Sequence, residues 1–158
     1  MSILTCTSDP GDKAFIKSLI KKINNQKIFN LDKLDLKKNF NKKLIDILIK
    51  REVTSVIVGL GYKNKNINKK IIKVCKRLKI KSFGICDSYQ LFLNKLKFLK
   101  KTFLPDFFCV SDKIAFKLAV KDGVPKKKLV IIGNKFIKNN FLKNYKKKIK
   151  INKNTFYF

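Results

Sequence analysis

What most constrains the fold of this chain is an alternation: short runs rich in β-branched and aromatic residues take turns with longer segments whose apolar residues recur every three or four positions. Strands fit the first pattern and helices the second, and their alternation is the sequence form of repeated βαβ units. Ser2 to Cys6 reads as a first strand. Asp9-Pro10 follows, a capping residue before a proline suited to the first helical position, and Phe15, Ile16, Leu19, Ile20 and Ile23 then share one helix face. Lys27-Ile28-Phe29 reads as a second strand, and Phe40, Leu44, Ile47 and Leu48 mark an amphipathic helix ending before Val53.

Val53 to Val58 reads as a buried central strand, leading through Gly59-Leu60-Gly61 into a helix carrying Ile67, Ile71, Val74, Cys75 and Leu78. Lys81 to Cys86 gives the next strand and ends on Asp87-Ser88; a longer connection through Tyr89, Phe92 and Leu96 reaches Pro105-Asp106. After the strand Phe107 to Val110, Ser111 is placed to cap a helix carrying Ile114, Ala115, Leu118 and Ala119, which stops at Asp122-Gly123-Val124-Pro125. Leu129 to Ile132 is a last strand, ending in Gly133-Asn134. Helix-sized crossovers between the strands predict a parallel sheet. The 158 residues suffice for one core. The expected fold is therefore α/β: a single Rossmann-like three-layer sandwich with a mainly parallel sheet.

The formal charge is +29, which invites a nucleic-acid reading, since dense positive charge gains affinity for phosphate backbones by releasing counterions. Yet Arg51 and Arg77 are the only arginines among 39 basic residues. Base reading favours the bidentate arginine fork. Lysine, asparagine, isoleucine and phenylalanine are also the residues that an A/T-rich genome over-produces. Apart from Lys126-Lys127-Lys128 and Lys146-Lys147-Lys148, the lysines spread through every helix, as a solvated surface would have them.

The longest apolar runs fall far short of a membrane span, and the N-terminus reaches Asp9-Pro10-Gly11 too soon for a secretory signal. A soluble, cytoplasmic protein is expected. The four cysteines, Cys6, Cys75, Cys86 and Cys109, form no C-x-x-C pair, and the chain has no histidine. No metal site is expected, and the cysteines read as small buried hydrophobes. The missing imidazole also removes Ser-His-Asp and Cys-His nucleophile systems.

In parallel sheets, ligands bind outside the carboxyl ends of the strands. Here those ends carry Ser8, Asp9 and Gly11, then Gly59 and Gly61, then Asp87 and Ser88, then Ser111 and Asp112, then Gly133 and Asn134. Glycine lets a ligand approach the backbone, a helix N-terminus offers N–H groups to an anion, and a carboxylate accepts sugar hydroxyls. Each of these residues equally suits an ordinary strand-to-helix turn. Gly59-Leu60-Gly61-Tyr62-Lys63-Asn64 has asparagine where a dinucleotide fingerprint needs its third glycine, and it lacks the ending of a P-loop. Asp9 and Asp12 lie at a helix start, where the macrodipole alone explains an acid.

One longer pattern adds to this. Pro105-Asp106, the strand Phe107 to Val110, Ser111-Asp112, Gly123-Val124-Pro125, the strand Leu129 to Ile132 and Gly133-Asn134 occur in that order. The pattern resembles the closing part of the N-terminal domain in GT-B-type proteins, such as UDP-N-acetylglucosamine 2-epimerases, glycerophosphotransferases and capsule-type glycosyltransferases. The Pro-Gly turn after the first strand, Gly59-Leu60-Gly61 and Asp87 agree with it, so that the resemblance runs along the whole chain. Lys135 departs from the proline usual after Gly-Asn in the family.

The resemblance implies residues 1–148 as the GT-B N-terminal-type domain and residues 149–158 as a tail resembling the first strand of a second domain. It implies a nucleotide-sugar substrate, no bound cofactor, and contacts among the rim residues named above. It also implies a partner, either a second Rossmann-like domain or a subunit, as in the two-subunit GlcNAc transferases of lipid-linked glycan assembly. A basic half-enzyme of this kind also suits an anionic membrane surface. Two alternatives stay open on the sequence: a lysine-rich nucleic-acid-binding module, and a non-catalytic partner subunit. Exposure of Phe92, Phe98, Phe103 and Phe136 beside the lysine runs would favour the first of these.

Overall fold

Alternate residues of the central strands point to opposite sides of one sheet, and each side has helical cover to bury them. In a computed structural model of the chain, which describes residues 2–7, 10–21, 23, 26–31, 39–61, 65–87, 89 and 104–133, the elements run β1 (Ser2–Cys6), α1 (Pro10–Ile20), β2 (Lys27–Asn30), α2 (Phe40–Lys50), β3 (Val53–Gly59), α3 (Lys65–Arg77), β4 (Lys81–Ile85), β5 (Phe107–Val110), α4 (Lys113–Lys121) and β6 (Leu129–Ile131). The sheet order is β2-β1-β3-β4-β5-β6, and every pairing is parallel. The expected three-layer α/β sandwich is thus the observed fold.

The layers follow from the period-two pattern of the strands. Leu4, Cys6, Val56 and Val58 face α2 and α3, meeting Leu44, Leu48, Ile71, Val74 and Cys75. Farther along the same side, Phe108 and Val110 pack with Ile72 of α3 and with Ala115 and Ala119 of α4. Neighbours of these in the strands, Ile3, Ile57 and Cys109, turn to the other side with Ile85, where α1 supplies Phe15 and Ile16. Phe83 and Phe107, opposite each other in register, stack at 4.8 Å. All four cysteines are buried, as expected, and burial pushes the Cys75 and Cys109 thiols up to about 12, out of the range of useful nucleophiles.

The amino end of β5 is pinned by side chains. Asp106 Oδ2 accepts from both the backbone N–H and the hydroxyl of Ser82, each at 2.9 Å, while the Asp106 N–H donates back to Ser82 Oγ at 3.1 Å. Gly84 leaves room beside this joint, since a Cβ there would lie 2.7 Å from Pro105. Pro105-Asp106 therefore works at the end of the sheet opposite the carboxyl rim.

Two local expectations are corrected. Asp112, not Ser111, caps α4: its Oδ1 accepts from the N–H groups of Ile114 and Ala115, both at 2.9 Å, because a carboxylate spans two donors that one hydroxyl cannot. The strand from Lys81 ends at Ile85 rather than Cys86, although the Cys86 N–H still donates to the Cys109 carbonyl at 2.9 Å. The tail 149–158 and Phe92, Phe98, Phe103 and Phe136 lie outside the described residues. No helix among the described residues is long and apolar enough to cross a membrane.

Candidate functional site

Because every strand is parallel, their carboxyl ends form one rim, running in sheet order from β1 to β6 over roughly 19 Å at the usual strand spacing. Along it stand Gly11 in the first turn of α1, Gly59 at the end of β3 and Gly61 after it, Asp87 after β4, Ser111 and Asp112 after β5, and Gly133 after β6. Ser8, Asp9, Ser88 and Asn134 lie outside the described residues. The chain leaves β1 toward β2 on one side, whereas β3 to β6 continue on the other, so the crevice between β1 and β3 is the topological switch point.

That crevice is closed by a residue whose role the sequence concealed. Asp12 is fully buried, and its Oδ2 accepts the N–H of Gly61 at 2.9 Å. A Cβ on Gly59 would lie 2.4 Å from the same Oδ2 and 2.6 Å from Asp12 Cβ. The space that Gly59 leaves open is therefore filled by the Asp12 carboxylate. Asn68, buried in α3, donates its amide to the Gly59 carbonyl at 2.7 Å, and its Oδ1 has no hydrogen-bond partner among the described residues. The signal for Asp12 was its spacing: three and four residues before Phe15 and Ile16, it shares their buried face.

The turns after β4 and β5 are tied together from the outside. The Tyr89 hydroxyl donates to Asp112 Oδ2, and the Ser111 hydroxyl reaches the same oxygen at 3.2 Å. Donation by Tyr89, with the cap bond from Ala115, holds the Asp112 carboxyl below its ordinary value of 3.8, and the same bond holds the Tyr89 phenol above 10.0. Ser111 is buried, and Gly133 takes a left-handed φ of 73° with open space where a side chain would be. Within the turn after β4, two residues before Tyr89, stands Asp87, half-buried, with no hydrogen bond or ion pair to any described residue. Among the described residues the rim thus holds two aspartates engaged within the fold and one, Asp87, whose oxygens are open to a hydroxyl or N–H donor.

The described residues also line two cavities away from the rim, both at the α2–α3 seam. One, of about 510 Å³, is lined by Asn41, Lys69, Lys70, Lys73, Val74 and Arg77; the other, of about 370 Å³, by Asn39, Phe40, Asn41, Lys42 and Lys70. Neither was expected from the sequence, because the lysines of each helix were read singly as solvated faces.

No protein-family model matches the chain, and no curated protein matches it. Among solved structures it is similar to UDP-GlcNAc 2-epimerase from Methanocaldococcus jannaschii, in two structures, one of them in complex with UDP-GlcNAc and UDP. The TM-score is 0.57 in both, at 17% and 18% identity, over 92% of this chain. The chain spans about half the length of those proteins, 50% and 49%. At this identity the likeness shows the fold: a Rossmann-like α/β domain of the kind that makes up half of that epimerase.

Proposed function

We propose that the chain supplies the acceptor- or sugar-side half of a nucleotide-sugar-dependent enzyme, glycosyltransferase-like or epimerase-like, in surface polysaccharide biosynthesis. In this reading it acts in the cytoplasm with a second Rossmann-like domain or subunit, and it needs no resident cofactor. Residues 1–148 form the first domain and 149–158 lead into the next. The observation that carries the reading is Asp87: a half-buried carboxylate with no partner among the described residues, at the middle of the rim, between turns whose own acids are engaged. A carboxylate so placed accepts sugar or ribose hydroxyls, while the N-terminus of α1, with Gly11 in its first turn, offers backbone N–H groups to a diphosphate. The likeness to half of an epimerase structure supports the same reading.

The test is a thermal-shift titration of the purified chain with UDP-sugars, CDP-sugars and short RNA at low and high salt. The expected result is a saturable, salt-tolerant rise in Tm with a nucleotide sugar that Asp87→Asn abolishes while leaving the ligand-free Tm in place. A shift with RNA alone that disappears at high salt would overturn the reading, as would a nucleotide-sugar shift indifferent to Asp87→Asn.

A further inference from the structure

Among the described residues, the charged groups that line the cavities between α2 and α3 are all of one sign. Lys42, Lys69, Lys70, Lys73 and Arg77 contribute to them, and no carboxylate among the described residues does; Asp46, the acid of α2, is not among the lining residues. Lys70, Lys73 and Arg77 recur at three and four residues, which sets them in one stripe about 10 Å long on α3. On the facing helix, Asn41, Ile45 and Ile49 recur at four residues, and Ile49 is 62% exposed. On α3, Ile67, three residues before Lys70, is 36% exposed. The seam is thus a cationic groove between two adjacent helices, each of which also carries an exposed isoleucine, Ile49 on α2 and Ile67 on α3.

From this surface we infer that the α2–α3 face docks on an anionic lipid bilayer. Charge complementarity identifies the partner as anionic, and three observations select a bilayer over a nucleic acid. The lining cations are lysines save one, compact point charges suited to a diffuse negative surface rather than to bidentate phosphate recognition. The aromatic ring of the lining, Phe40, is half-buried with Lys70 Nζ 5.7 Å from its centroid, and so offers no platform on which bases stack. Exposed isoleucines flanking lysines are the pairing that enters a headgroup layer, with apolar side chains inserted and ammonium groups at the phosphates. This inference does not rest on the sugar-nucleotide reading, since the face is formed by the flanks of the two helices rather than by the strand ends.

The experiment is co-sedimentation of the full chain with large vesicles of phosphatidylcholine, with and without phosphatidylglycerol, at low and high salt. Binding is expected only to the anionic vesicles and to weaken with salt. Each cation removed from the face should lower partition roughly five-fold, so the triple variant Lys70→Glu, Lys73→Glu, Arg77→Glu should lose at least a hundred-fold. The control Lys113→Glu, Lys117→Glu, Lys121→Glu makes the same charge change on α4 and should lose far less. Ile49→Gln should weaken binding with no change in charge. Equal losses in the two triple variants would overturn the proposal by making net charge the cause. Full vesicle binding by the first triple variant, with loss of RNA retention, would overturn it in favour of nucleic acid. Should the triple variant fail to fold, Lys70→Gln and Lys73→Gln, each expected to cost about five-fold, decide the matter.

Discussion

Asp12 and Asp112 invite comparison, because each stands at the start of a helix on the same rim and the two do different work. Asp12 is fully buried and reaches out of α1 to the backbone beyond β3, tying that helix to the turn on the far side of the switch point. Asp112 stays local, capping its own helix and accepting from Tyr89 at the exposed edge. The residue type and the position on the helix are alike; the surroundings decide the magnitude. A buried acceptor removed leaves its donor without water to replace it, whereas solvent takes over much of what an exposed one did.

The largest effect should come from Gly59→Ala. The added methyl would lie 2.4 to 2.6 Å from three Asp12 side-chain atoms, and a buried carboxylate cannot swing aside into solvent. Overpacking of this kind, with displacement of a buried hydrogen bond, should cost about 3 kcal/mol or prevent folding, as read by urea denaturation. Asp12→Ala comes next, at about 2 kcal/mol, by leaving the buried Gly61 N–H without its acceptor. Combining the two should relieve part of the clash but not all of it, because the Cβ of residue 12 would itself lie 2.6 Å from the new methyl. Strict additivity in that double-mutant cycle would break the claim that Gly59 is small on account of Asp12.

The same pair shows where sequence reading succeeds and where it stops. The strands and helices were legible because they rest on periodicity, which every residue of an element reports in common: Ser2–Cys6 and Phe107–Val110 match their expected bounds. That Gly59, Gly61, Asp87, Ser111, Asp112 and Gly133 lie along one rim was legible too, since it follows from parallel strands alone. What was not legible is the partner of each side chain. Asp12 finds the N–H of Gly61, 49 positions along the chain, and Asp106 finds Ser82 across 24, distances over which no local pattern runs. The lysine groove was missed for the same reason, because α2 and α3 form it only by lying side by side.

At the half-buried Asp112 the effects should be smaller and should depend on pH. Asp112→Ala removes a cap and should cost about 1 kcal/mol. Its carboxyl is depressed in the folded chain, so its contribution is fully present above the ordinary value of 3.8 and is lost as pH falls through the depressed one. The stability gap between the parent and Asp112→Asn should therefore close in acid. A gap unchanged across that range would mean that the charge is irrelevant and the amide caps equally well.

The smallest effect should be that of Tyr89→Phe, a few tenths of a kcal/mol, since water competes for both the hydroxyl and the carboxylate at this exposed edge. Its pH profile should have two limits. The Tyr89 phenol is raised in the folded chain, so its contribution is present below 10.0 and disappears as pH climbs through the raised value; at the acid end it disappears with the charge of Asp112. A difference between parent and variant that is level between those limits and vanishes at both would identify the bond itself as the source. A loss as large as that of Asp12→Ala would break the comparison, because it would show that the β4–β5 edge is as shielded from water as the crevice between β1 and β3.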